Sequence, residues 1–135
     1  MSYSFNNPQG YSSNNLLQYH FAIKMLCKIP FTDKSRVLDV GCGDGLITYE
    51  MSKIAKQGCI IGTDISKQMI EHASETYRLQ KNLRFLQMDA TQNIFDQQFD
   101  IVTSFNCLHW IRDQKAALKG ISNALIPGGQ VVILL

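Results

Sequence analysis

The sequence predicts one α/β domain, a doubly wound parallel sheet of five strands with helices on both faces. Three observations predict it. Strand-length apolar runs alternate with segments of helical periodicity. The first run, Val37-Leu38-Asp39-Val40, opens directly into a glycine loop. Polar residues then mark the ends of successive runs at Asp39, Asp64, Asp89 and Ser104. In open α/β sheets those carboxyl ends are where ligands bind.

Composition narrows the function classes. A chain of 135 residues is long enough for one domain with its own core. The net charge of +2 gives no strong pull toward nucleic acid or a membrane surface, so neither is an expected partner. No apolar run reaches transmembrane length, and the first residues lack a signal-peptide pattern. Cys27, Cys42, Cys59 and Cys107 have no C-x-x-C spacing, which points to reduced thiols, no metal site and a cytoplasmic protein.

Residues 1–15 are polar, with Pro8 and Gly10 as breakers, and Tyr11 stands out among them. Ser12 or Ser13 can cap a helix reaching to about residue 28, with Leu16, Tyr19, Ile23 and Leu26 on one stripe. Gln18 lies beside that stripe. Residues 1–30 therefore form a leading segment and helix, expected to lie over the ligand end as a lid. Residues 31–135 form the ligand-binding domain.

The glycine loop reads Gly41-Cys42-Gly43-Asp44-Gly45-Leu46. The dinucleotide fingerprint G-x-G-x-x-G would place a third Gly where Leu46 stands. Asp39, two residues before the first Gly, would repel a pyrophosphate and can accept from an ammonium group, directly or through water. The loop thus suits a ligand with a cationic amino-acid end. A helix is expected over 46–56, then a second strand over 59–63 ending in Asp64. The interval from the loop is that of a βαβ unit whose acid meets a ribose. Ile65 can lie against an adenine face.

A helix over 66–80 and a third strand over 83–88 follow, the latter ending in Asp89-Ala90, where an acid and a backbone N–H can read an adenine edge. Residues 99–105 form the fourth strand, from which Asn106, Cys107, Leu108, His109 and Trp110 leave the sheet at its ligand end. Asp113 can cap a helix through Ala124. Ile126-Pro127-Gly128-Gly129 reads as a turn before a fifth strand at 130–135. The expected strand order is 3-2-1-4-5, with the ligand between the first and fourth strand ends.

With these motifs in place, the sequence resembles the class I S-adenosylmethionine-dependent methyltransferases of the small-molecule type. The likeness runs through V-L-D-V-G-C-G-D-G, G-T-D-I-S, Met88-Asp89-Ala90, F-D-I-V-T-S-F and L-I-P-G-G-Q, from Tyr11 to Leu135. It implies a Rossmann-like fold and S-adenosyl-L-methionine as cofactor, with S-adenosyl-L-homocysteine as product. It also implies that Asp39, Gly41, Cys42, Gly43 and Gly45 hold the methionine end. Asp64 would then hold the ribose, Ile65 flank adenine, and Asp89 with Ala90 read its edge. Ser104 and Phe105 would lie near the sulfonium.

Within that family the segment S-F-N-C-L-H-W-I-R-D is similar to the trans-aconitate and juvenile hormone acid methyltransferases, as are Pro8, Tyr11, Leu17 and Gln18. Phe105 leans toward the juvenile hormone type. The resemblance implies a small carboxylic acid as acceptor, with Gln18 and Trp110 near it and Tyr11 and His109 as further contacts. A carboxylate needs no base, so no catalytic residue is assigned. An acceptor with a proton to lose would make His109 the candidate.

The family's sheet carries two more strands after the fifth. The expectation from this chain alone is therefore a shortened domain whose apolar fifth strand is exposed and offers an edge to a second copy. A cofactor-binding module without turnover is the alternative to an enzyme.

Overall fold

The structure, a computed structural model, describes residues 16–105 and 107–134, apart from the side chain of Gln18. Tyr11, the serine caps proposed for the leading helix, and Asn106 lie outside the described residues. The elements run α1 (Leu16–Leu26), β1 (Arg36–Val40), α2 (Leu46–Ile54), β2 (Cys59–Asp64), α3 (Lys67–Thr76) and β3 (Leu83–Gln87). They continue with β4 (Phe99–Phe105), a 3-10 turn (Leu108–Trp110), α4 (Gln114–Ala124) and β5 (Leu125–Leu134).

The five strands form one parallel sheet in the order β3-β2-β1-β4-β5, as the sequence predicts. In β1, Leu38 pairs with Ile61 of β2 on one side and Val102 of β4 on the other. A central parallel strand is covered on both faces, which explains why four of its five residues are buried.

Strand alternation divides the core in two. On one face Val37, Ile60, Ile101 and Phe105 pack with Ala22, Leu26, Ile29 and Met51. On the other Leu38, Val40, Phe99 and Val102 pack with Ala117, Ile121 and Ala124 of α4. The crossovers from β1 to β3 step in one direction and the β4–β5 crossover steps in the other. With crossovers of one hand, their helices land on opposite faces.

Local chemistry sets the helix ends. Ser66 caps α3, accepting from the Met69 N–H at 3.2 Å, and Asp113 caps α4 through the Ala116 N–H at 3.0 Å. At the end of α2, the Asn82 side chain donates to the carbonyls of Ser52 and Ala55, so this helix stops at Ile54 rather than 56. Helix α3 ends at Thr76, before the expected 80, with Tyr77 turned onto Tyr49 at 4.5 Å between ring centroids.

Helix α1 packs Ala22 and Leu26 into the core. The turn at 126–129 is instead a bulge within β5, because Phe99 pairs with Leu125 and Ile101 with Gln130. Pro127 has no N–H for the ladder, and Gly128 at φ +81° lets the backbone bend away before pairing resumes.

Candidate cofactor and acceptor site

The carboxyl ends of β1, β2 and β3 and the segment after β4 surround one pocket of about 410 Å³. A pocket of that size suits a small molecule. Gly41, Gly43, Asp64, Ile65, Asp89, Ala90 and Trp110 line it, and each was expected at the site from sequence.

The glycine loop is held in a left-handed path, with φ +77° at Gly41, +57° at Gly43 and +85° at Gly45. At Gly41 the space is also taken: a Cβ there would run into the Cys107 thiol. Five of the loop's N–H groups are already used. Gly41 and Cys42 both donate to the Thr63 carbonyl at 2.8 Å, Gly43 to Asp64 Oδ2 at 2.9 Å, Gly45 to the Cys42 carbonyl at 3.0 Å, and Leu46 to Asp44 Oδ1 at 3.1 Å. A pyrophosphate is cradled by free N–H groups at such a turn, and these five point inward to protein partners instead.

Asp64 does two jobs from the end of β2. Its Oδ2 holds Gly43, and its Oδ1 accepts from the Ser66 N–H at 2.9 Å. Each carboxylate oxygen can accept again, so the side chain still has acceptor capacity toward the pocket. Burial raises its pKa, against the lowering effect of those N–H bonds. Asp89 is held by Thr91, whose N–H and hydroxyl both bond Oδ1, and these bonds lower its pKa. No hydrogen bond from a described residue reaches Oδ2 of Asp89. Ile65 is 65% exposed and presents an apolar face to the same space.

Six expected residues lie outside the lining. Asp39 is buried behind the loop, with Oδ2 accepting from Thr48 and Oδ1 from Thr103, each at 2.8 Å. Burial pushes its pKa up to about 6, offset in part by the two hydroxyls. Cys42 is buried with its Cβ facing Gly62. Gly45 packs closely on Phe85 and Ala73, where a Cβ would lie 2.7 Å and 2.9 Å from their atoms. The Ser104 hydroxyl donates to the Val40 carbonyl at 3.0 Å, and Phe105 is in the core. His109 is exposed, with its ring 4.8 Å from that of Trp110. Nor does any described side chain of α1 line the pocket.

The structure adds lining residues that sequence reasoning passed over, chiefly Thr63, Met88, Cys107, Ile111 and Arg112. Cys107 stands two residues beyond the last residue of β4, and its place near the glycine loop could have been inferred from strand order. Burial raises its thiol pKa to about 11, so it is a neutral wall.

The methyltransferase domain family matches residues 37–129, the span that carries β1, the glycine loop and all four strand ends. The chain belongs to this family. Among its relatives is the juvenile hormone acid O-methyltransferase of Drosophila melanogaster, 36% identical over 131 residues, covering 88% of this chain and 44% of that protein. The corresponding enzyme of Bombyx mori is 34% identical over 140 residues, covering 96% of this chain and 50% of that protein. The chain thus spans about half the length of these relatives. Among solved structures, phosphoethanolamine N-methyltransferase 2 of Haemonchus contortus in complex with S-adenosyl-L-methionine superposes with a TM-score of 0.78 at 28% identity, over 85% of this chain and 27% of that one. The matched span takes in the glycine loop, helices α2 to α4 and every residue that lines the pocket.

Proposed function

We propose that this methyltransferase domain binds S-adenosyl-L-methionine in the strand-end pocket and transfers its methyl group to a carboxylate oxygen of a small acid. The observation that carries this reading is the convergence of Gly41, Asp64, Ile65, Asp89 and Ala90 on one pocket. The residues fit the cofactor. Asp64 accepts the ribose hydroxyls with its remaining lone pairs, Ile65 flanks the adenine, and Asp89 Oδ2 accepts from the adenine amino group. Asp64 and Asp89 also make the pocket acidic, which favours the ammonium and sulfonium charges.

When bound, the cofactor supplies a methyl group already activated by its sulfonium. The chain's own part is to position and to exclude water. Effective concentration of well-oriented groups is worth roughly 7–11 kcal/mol of barrier. A carboxylate is ionised at neutral pH, so no side chain has to take a proton. Asp39 acts from behind, fixing the loop rather than touching the ligand. Trp110 and Ile111 provide the apolar wall against which the acceptor lies. Two relatives named for O-methylation of an acid support a carboxylate over a nitrogen or carbon acceptor. Four free thiols are in keeping with the reducing cytoplasm.

Incubation with S-adenosylmethionine labelled in the methyl group, against a panel of carboxylic acids and matched alcohols, tests the proposal. Label should appear in acid-derived esters. Transfer to alcohols alone would contradict it, and absence of transfer despite cofactor binding would favour a binding module.

A further inference from the structure

We propose that Arg112 is the anchor for the acceptor's carboxylate and sets the preference for acids over neutral molecules. This rests on the methyl-transfer reading above and adds the residue that selects the substrate. Three acids line the pocket, Asp64, Asp89 and Asp113, and Arg112 is the one basic side chain among its described lining residues. An anionic acceptor entering such a pocket is repelled unless a cation meets it.

Arg112 is placed to do so. It is exposed, and among the described residues no carboxylate pairs with it within 4.0 Å. Its neighbour Asp113 is committed to the Ala116 N–H at 3.0 Å as the cap of α4. The backbone around it is fixed on both sides. The Trp110 N–H bonds the Cys107 carbonyl at 3.0 Å, the Ile111 N–H bonds that of Leu108 at 3.0 Å, and the Gln114 side chain donates to the same Leu108 carbonyl at 3.1 Å. Arg112 thus projects from a braced strip, beside the half-exposed indole of Trp110 and the side chain of Ile111. The complement of that strip is an anionic head on an apolar body.

The guanidinium has five N–H donors in a planar fork and carries a delocalised positive charge. Holding one carboxylate oxygen leaves the other with a lone pair to attack the methyl carbon. In that step the new C–O bond forms as the C–S bond breaks, and the electron pair returns to sulfur. The ester has no charge for Arg112 to hold, so the same residue that selects the acid releases the product.

Trp110 is the only tryptophan of the chain and lies in the same strip, so its fluorescence reports binding there. The chain saturated with S-adenosylhomocysteine is titrated with decanoate, 1-decanol and methyl decanoate, alongside R112Q and R112K. The expected result is saturable decanoate binding, about tenfold weaker for the alcohol and the ester. R112Q should weaken decanoate about tenfold and leave the alcohol unchanged, and R112K should recover most of the loss. Equal decanoate binding by R112Q and the wild type would overturn the proposal, as would the absence of a saturable response to decanoate. Calorimetry of the wild type with S-adenosylmethionine tests the underlying reading separately. Failure there, with decanoate discrimination still dependent on Arg112 when the titration is run on the unloaded chain, would remove the cofactor assignment and leave the anion anchor standing.

Discussion

Thr103 of β4 sits directly opposite Asp39 of β1, and its hydroxyl donates to Asp39 Oδ1 at 2.8 Å. The bond crosses the two strands that flank the pocket. With Thr48 on the other oxygen, it ties the base of the glycine loop to both β4 and α2. The acid two residues before the loop is a hub inside the protein.

That hub makes stability depend on pH. Burial holds the Asp39 pKa at about 6, above its ordinary 3.8, so the folded state binds the proton more tightly than the unfolded one. Its contribution to stability is therefore greatest at acid pH and declines as pH rises from about 4 through about 6. Between pH 4.5 and 7.5 the decline is ~2 kcal/mol. Asp39→Asn keeps the shape without the charge. Urea unfolding of both proteins at the two pH values should show the wild type losing ~2 kcal/mol relative to the variant. A constant difference would mean that Asp39 is not buried as described.

Gly41 is constrained twice, by its φ of +77° and by the thiol of Cys107 over it. Gly41→Ala should destabilise the fold by about 2–4 kcal/mol, combining the left-handed strain with the clash. The clash involves the Cys107 Cβ as well as its thiol, so only Cys107→Gly removes it; in that background Gly41→Ala should cost only the ~1–2 kcal/mol of the left-handed backbone. Thermal melts of Gly41→Ala, Cys107→Gly and the double variant check this. An equal cost of Gly41→Ala in the two backgrounds would show that Cys107 does not close over the loop.

Helix α3 starts on the Ser66 hydroxyl, which holds the Met69 N–H. Ser66→Ala should lower stability by about 1 kcal/mol, a fall in Tm of ~3 °C. Ser66→Asp, which can cap in the same way, should restore it. Scanning calorimetry of the two variants separates loss of the cap from loss of packing.

The topology was legible because period and punctuation agreed. The apolar run at Val37, the acid at Asp64 and the whole of Phe99–Phe105 each declared a buried strand and its ligand end. Side-chain direction was not legible. Asp39 has the chemistry to meet an ammonium group, but in a strand covered on both faces its side chain points into a core. The clue was the pair Thr48 and Thr103, hydroxyls set among apolar positions and aimed at the same carboxylate. Pro127-Gly128-Gly129 announced a bend, and only pairing could show that the bend lies within a strand. Arg112 was passed over because an arginine in a loop reads as solvated surface until the pocket around it is known to be acidic.

The central claim is that the strand-end pocket holds S-adenosylmethionine through Asp64. Calorimetric titration of this chain with S-adenosylmethionine, NAD as comparison, and Asp64→Ala in parallel tests it most directly. The account predicts saturable binding of S-adenosylmethionine, none of NAD, and affinity reduced at least ~100-fold in Asp64→Ala, since two charge-assisted hydrogen bonds of about 1.5–3 kcal/mol each are removed. Binding of NAD, or cofactor affinity unchanged in Asp64→Ala, would contradict it.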